Sequence, residues 1–229
     1  MVGVAHHWRG FLPANRGPLT RFSANLHNKV FNEAFPQALR TGKFDAVMLK
    51  EDIPQAKDTQ DFIGLNYYTR ELVRFDLSKP SEVFTQRFYP KDAELSETDF
   101  LNNDPEGFKA CIKWGAQFGK PIYITENGVD DSKDDFRRKY LLQHLHAMWH
   151  AVNHNVPVKG YFHWSLVDNF EWERGWTQRF GLWGIDPATQ ARTRRMSVDL
   201  YADICRTNSI TSECVEKYCP EVYERIYPV

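Results

Sequence analysis

Short, unbroken apolar runs alternate along the chain with longer stretches in which apolar positions recur every three to four residues. The runs at 2–5 (VGVA), 61–69 (DFIGLNYYT), 121–125 (PIYIT) and 158–166 (VKGYFHWSL) read as strands. Apolar on both faces, they have the character of parallel strands covered from two sides. Between them lie helical patterns. Residues 21–39 place Phe22, Leu26, Val30, Phe31 and Phe35 at helical spacing. Residues 104–119 open on Asp104 and Pro105 and stop at Gly119, an N-cap, a first-turn proline and a terminating glycine. Residues 134–155 predict a long amphipathic helix and 195–210 a last one, while 70–103 is irregular, with a surface loop or hairpin at 75–90.

Strand and helix repeated about four times predict parallel βα units, in one domain spanning 1–229. In barrels built from such units the chemistry sits where the strands run out at their C-terminal ends. Those ends carry Asn66, Tyr67 and Tyr68; Glu126 and Asn127; and His163, Trp164 and Ser165. A carboxylate closing a hydrophobic strand, as Glu126 does, is either a solvated loop residue or a reactive group, and the Asn-Gly that follows it fits an ordinary turn equally well.

Composition narrows the class. The 229 residues are 42% hydrophobic and 26% charged, enough to bury a full core, and the formal net charge is −1. With no long Lys/Arg run, nucleic acid and anionic membranes are not expected partners. No stretch approaches the roughly 18 apolar residues that cross a bilayer, and the start lacks a signal-like h-region. The four cysteines lack metal-site spacing and are read as reduced thiols of a cytoplasmic protein. Aromatic residues reach 14%, a supply of flat apolar faces with polar edges that suits sugar rings. His146, His150 and His154 recur every four residues, without the Glu or Cys companions of a zinc pattern. No metal and no cofactor is expected.

The motifs DFIGLNYYT, YITENG and HWSLVDNFEW, followed by RFGLWGID, strongly resemble the second half of glycoside hydrolase family 1, the β-glucosidase and β-galactosidase family. The resemblance runs from near the start to about Ile210. It implies a (β/α)8 barrel of which this chain holds about the last four βα units, and a retaining mechanism on a β-glycoside substrate. It makes Glu126 the nucleophile, suited to form a glycosyl ester that water later cleaves. Tyr68 matches the tyrosine that hydrogen-bonds the nucleophile, and Asn66 a neighbour in the same subsite. Trp164 resembles the platform under the sugar, Glu171 and Trp172 the pair gripping its hydroxyls, and Phe180 a wall residue. A carboxylate at 171 would repel a phosphate dianion, so an unphosphorylated β-glucoside or β-galactoside is the expected substrate.

The departure concerns the second carboxylate. The family's acid/base lies in an NEP motif at the end of the fourth strand, and no NEP is present. The only Asn-Glu, Asn32-Glu33, falls within a helical pattern and reads as a helix-surface glutamate. His6, His7 and Trp8 lie after the wrong strand to replace the family's first-half sugar contacts. Two expectations follow: an enzyme whose proton donor comes from a missing N-terminal half, or an inactive half-barrel fragment that associates with itself or a partner half through exposed strand edges and binds sugar. Ile63, Leu65, Ile122 and Ile124 are expected on the exposed inner face.

Overall fold

The computed structural model describes residues 1–228. In chain order the elements are β1 (Gly3–His7), β2 (Gly10–Pro13), α1 (Pro18–His27), α2 (Ala34–Thr41), β3 (Lys43–Ala46), β4 (Leu49–Asp52), β5 (Phe62–Asn66), β6 (Arg70–Phe75), β7 (Thr85–Phe88), α3 (Pro105–Ala116), β8 (Ile122–Asn127), α4 (Phe136–Asn153), β9 (Val158–His163), β10 (Trp183–Ile185), β11 (Arg192–Arg194), α5 (Met196–Thr207), α6 (Ser212–Tyr218) and α7 (Tyr223–Ile226). The four strands expected to be parallel form one sheet in the order β1-β5-β8-β9, every pairing parallel. This is the arrangement of a partial α/β barrel, with β1 and β9 as its open edges. The 75–90 segment is the β6–β7 hairpin, which β2 extends to a three-stranded sheet.

The main core lies between this sheet and the helices α3 and α4. Ile63, Leu65, Ile122 and Ile124 are buried there with Phe108, Cys111, Ile112 and Ala147, so these four side chains face the helices and not the inner face of the sheet. Continuous apolar runs cannot reveal which side is which; the register does. The inner face instead carries Phe62, whose ring meets Tyr123 edge-on at 5.2 Å, and Phe162, which is 58% exposed.

Two helical regions differ from expectation. Phe22, Val30, Phe31 and Phe35 are exposed, and Ser23, Ala24, Asn32, Ala34 and Ala38 are buried in their place. A π-helical stretch, Asn28–Glu33, interrupts the regular period between α1 and α2. Its Asn28 and Asn32 carboxamides bond the backbone of Phe11 and Arg9, turning a polar face toward β2. Glu33 is half-buried rather than a surface group, accepting from the Trp114 indole at 2.5 Å. Beyond Ile210 the chain continues as α6 and α7, which bury Val215, Tyr218, Val222 and Ile226 against Leu141, Leu142 and Leu145 of α4 and Leu200 of α5. With α3 packed on one side and this tail on the other, residues 140–145 of α4 are all buried, leaving little of the amphipathic pattern there. All four cysteines are free thiols. No described helix is long and apolar enough to cross a membrane.

Candidate active site

At the C-terminal end of the sheet, β8 carries register irregularities against both neighbours, between Leu65 and Asn66 on one side and between Ile124 and Asn127 on the other. Such a local bulge re-aims side chains at a strand end. Ile124 and Asn127 are buried, while Thr125 and Glu126 between them are only partly so. Thr125 donates to the Asn66 carboxamide oxygen at 2.5 Å.

Tyr68, two residues beyond the end of β5, donates its hydroxyl to one oxygen of the Glu126 carboxylate at 2.6 Å. Opposing influences act on this carboxylate. Partial burial raises its pKa above the usual carboxylate range, the bond from Tyr68 lowers it, the nearby Glu171 charge raises it, and a contact with Asn66 lowers it. The net direction is upward because removal from water dominates. Burial, with the neighbouring negative charge, also holds the Tyr68 phenol far above its ordinary value, so it stays a donor.

A cleft of about 270 Å³ opens over this pair, lined by Tyr68, Glu126, Trp164, Glu171, Trp172 and Phe180, with His7, Arg9, Phe100 and Leu101 completing the wall. Phe180 is buried and meets Tyr68 edge-on, ring centroids 6.1 Å apart. The Trp164–Ser165 peptide is cis. Glu171 accepts from Asn169 at 2.7 Å, and Trp172, 80% exposed, stands at the rim. All six of these residues therefore share one cleft, and Asn66 stands beside it, paired in register with Glu126.

His7 was passed over in the sequence. His6 and His7 are the last two residues of β1, and His7 pairs in register with Asn66 and lines the cleft. The available signal was alternation: a residue two beyond Ala5 shares its face. Burial and the positive charge of Arg9 depress the His7 imidazole to about 4, so it is neutral near pH 7. Arg9 faces Glu71 at 3.6 Å.

Comparisons with known proteins identify the family. Residues 20–210 match the model for glycosyl hydrolase family 1. A beta-glucosidase A of Thermotoga maritima is 38% identical over 70% of the chain and 38% of its own length. A beta-galactosidase of Pyrococcus woesei is 35% identical over 84% of the chain and 40% of its own length. Among solved structures, a beta-glycosidase from Pyrococcus horikoshii superposes with a TM-score of 0.85 at 33% identity, covering 94% of this chain and 50% of that one. The chain thus spans half or less of the length of these relatives, and its four-stranded sheet is the corresponding part of their barrel. On the matched span and the shared fold, the chain belongs to glycosyl hydrolase family 1.

Proposed function

We propose that this chain carries the nucleophile half of a retaining β-glycosidase acting on unphosphorylated β-glucosides or β-galactosides. The observation that supports it most is the Tyr68–Glu126 hydrogen bond at the strand ends, inside a cleft walled by Trp164 and Glu171. Tyr68 occupies one carboxylate oxygen, so the other attacks the anomeric carbon. The glycosidic C–O bond breaks as the ester bond forms, and the departing oxygen takes a proton from a general acid. Water then attacks the ester, releasing the sugar with its configuration retained.

Glu171, acceptor-only when ionised, grips the sugar hydroxyls together with the Trp172 indole N–H, and Trp164 supplies the apolar platform. The same carboxylate disfavours a phosphorylated sugar. Retaining chemistry sets the acid about 5 to 5.5 Å from the nucleophile, and Glu33, which accepts from the Trp114 indole, is not among the residues lining the cleft. We assign the acid to a half that completes the barrel along β1 and β9. The free thiols suit a reducing compartment, the cytoplasm.

A second reading, a half-barrel that binds sugar or associates without hydrolysing, is favoured by the open edges and by the exposed Phe162. A dinitrophenyl 2-deoxy-2-fluoro-β-glucoside, whose leaving group needs little protonation, separates the two. Stoichiometric dinitrophenol release with the label on Glu126 supports the first reading. Absence of label supports the second.

A further inference from the structure

Behind Glu126, on the helix side of the sheet, a hydrogen-bonded junction joins three strand ends to one helix. The Asn127 carboxamide donates to the Tyr67 carbonyl at 2.8 Å and to the Tyr140 hydroxyl at 3.0 Å. Tyr140, on the first turns of α4, donates its own hydroxyl to the Tyr68 carbonyl at 3.0 Å. Tyr161 of β9 donates to the Asn127 side-chain oxygen at 2.8 Å, and the Trp164 amide donates to the Asn127 carbonyl at 2.9 Å. Tyr140 and Asn127 are wholly buried.

We infer that Tyr140 is a positioning residue for the reaction, setting the Tyr68–Glu126 contact by tying the backbone of Tyr68 to the residue after Glu126. The register of β8 shifts at these strand ends, where the Tyr67 amide still donates to the Glu126 carbonyl at 2.9 Å, and a Tyr140 hydroxyl that both accepts from Asn127 and donates to Tyr68 adds a side-chain tie one residue beyond that backbone bond. Tyr68 and Glu126 lie on separate strands, and their 2.6 Å contact tolerates little relative slip. The Trp164 amide bond extends the tie to the sugar platform. Burial holds the Tyr140 phenol far above its ordinary pKa, so it remains a hydroxyl at every working pH. His144, stacked on the Tyr140 ring at 3.7 Å and depressed to about 3 by burial, adds no charge beside it.

The inference rests on the proposed role of Glu126 for its consequence in the reaction, but its test reads the Tyr68–Glu126 pair whether or not the chain turns over glycosides. The readout is the ¹³C carboxyl titration of Glu126 in Tyr140→Phe. The charged and titratable groups facing Glu126 in the cleft are Tyr68, Glu171, His7 and Arg9, and none of them is itself substituted. Loosening the Tyr68 donor should raise the Glu126 pKa by about half a unit or more, and slow fluorosugar labelling roughly tenfold where labelling occurs. Leu142→Ala, a cavity in the opposite face of α4, should lower stability and leave the titration unmoved. If Tyr140→Phe does not fold, Tyr161→Phe frees the same Asn127 carboxamide from the other side with its ring kept, and is expected to shift Glu126 in the same direction. A folded Tyr140→Phe, or in its absence Tyr161→Phe, with an unaltered Glu126 titration would overturn the assignment. Equal shifts in Leu142→Ala would also overturn it, by reducing Tyr140 to a packing residue.

Discussion

Gly128 stands so close to Trp164 that a Cβ at position 128 would meet the Trp164 carbonyl oxygen at 1.7 Å. The contact is with backbone, so no rotamer change relieves it. Gly128→Ala is expected to destabilise the chain by about 3 kcal/mol or more, the upper range of overpacking, and to disorder the indole of Trp164. Gly119→Ala is the control: its φ is +66° with nothing within 4 Å of the added methyl, and about 1 kcal/mol is expected from backbone strain alone. Urea unfolding of both variants checks the ranking.

The Glu126 carboxyl titrates above its ordinary range because it is partly desolvated. The folded state therefore holds its proton to higher pH than the unfolded chain does, and stability falls as pH rises through the window between the two values. Glu126→Gln removes this fall, so the variant should melt higher than the parent at pH 7, with the gap closing below about pH 4. An equal gap at both pH values would place the effect in packing and not in the charge.

Four imidazoles act in the opposite sense. Burial depresses His6 and His7 to about 4 and His144 and His163 to about 3, against an ordinary value of 6.5. The unfolded chain takes up protons that the folded chain refuses, so stability is full above about pH 6.5 and is lost progressively as pH falls toward these folded values. Each contributes a slope of up to about 1.4 kcal/mol per pH unit. Urea midpoints should drop steeply from pH 6.5 to 4.5, and replacing His163, whose ring nitrogens have no hydrogen-bond partner among the described residues, by Phe (His163→Phe) should flatten the slope.

Glu171→Ala should weaken the transition state for unmodified glycosides by about 2 to 5 kcal/mol once a completing half is supplied, through loss of charge-assisted contacts that tighten in the reaction. Substrates deoxygenated at the gripped hydroxyls should lose much less. An equal loss on both would make Glu171 a structural residue of the Asn169 turn.

Self-association is checked by sedimentation velocity across a wide concentration range. The open edges β1 and β9 and the exposed Phe22, Phe31, Phe35 and Phe162 predict concentration-dependent association or aggregation. A compact monomer at micromolar concentration would contradict that reading.

The four strands were legible in the sequence because parallel strands leave unbroken apolar runs, and Tyr68, Glu126 and Trp164 because they fall at the ends of those runs, whereas Glu171, Trp172 and Phe180, in the loop beyond β9, were reached only through the resemblance of their motifs. What stayed hidden has physical causes. Ile63 and Leu65 gave no sign of their direction, since both faces of such a strand are apolar. The helical spacing from Phe22 to Phe35 gave no sign that a π-helical turn, with Asn28 and Asn32 bonding the β2 region, interrupts the period in mid-helix. His7 was missed because its place in the site depends on its register with Asn66, a relation between residues remote in the chain. The α6–α7 tail lies beyond the matched motifs, and its short helices carry too few turns for a periodic signal.

The order β1-β5-β8-β9 also governs how the molecule comes to exist. No two neighbours in the sheet are joined by a hairpin; Gly3 meets Phe62 and Ile63 meets Ile122 only after whole helices have intervened. Every sheet contact must close a long loop before it yields any stabilisation, the topology of slow folders in the millisecond-to-second range. The local β6–β7 and β3–β4 hairpins can form much earlier, so the cleft, built at the ends of the late-pairing strands, is among the last parts of the chain to acquire its shape.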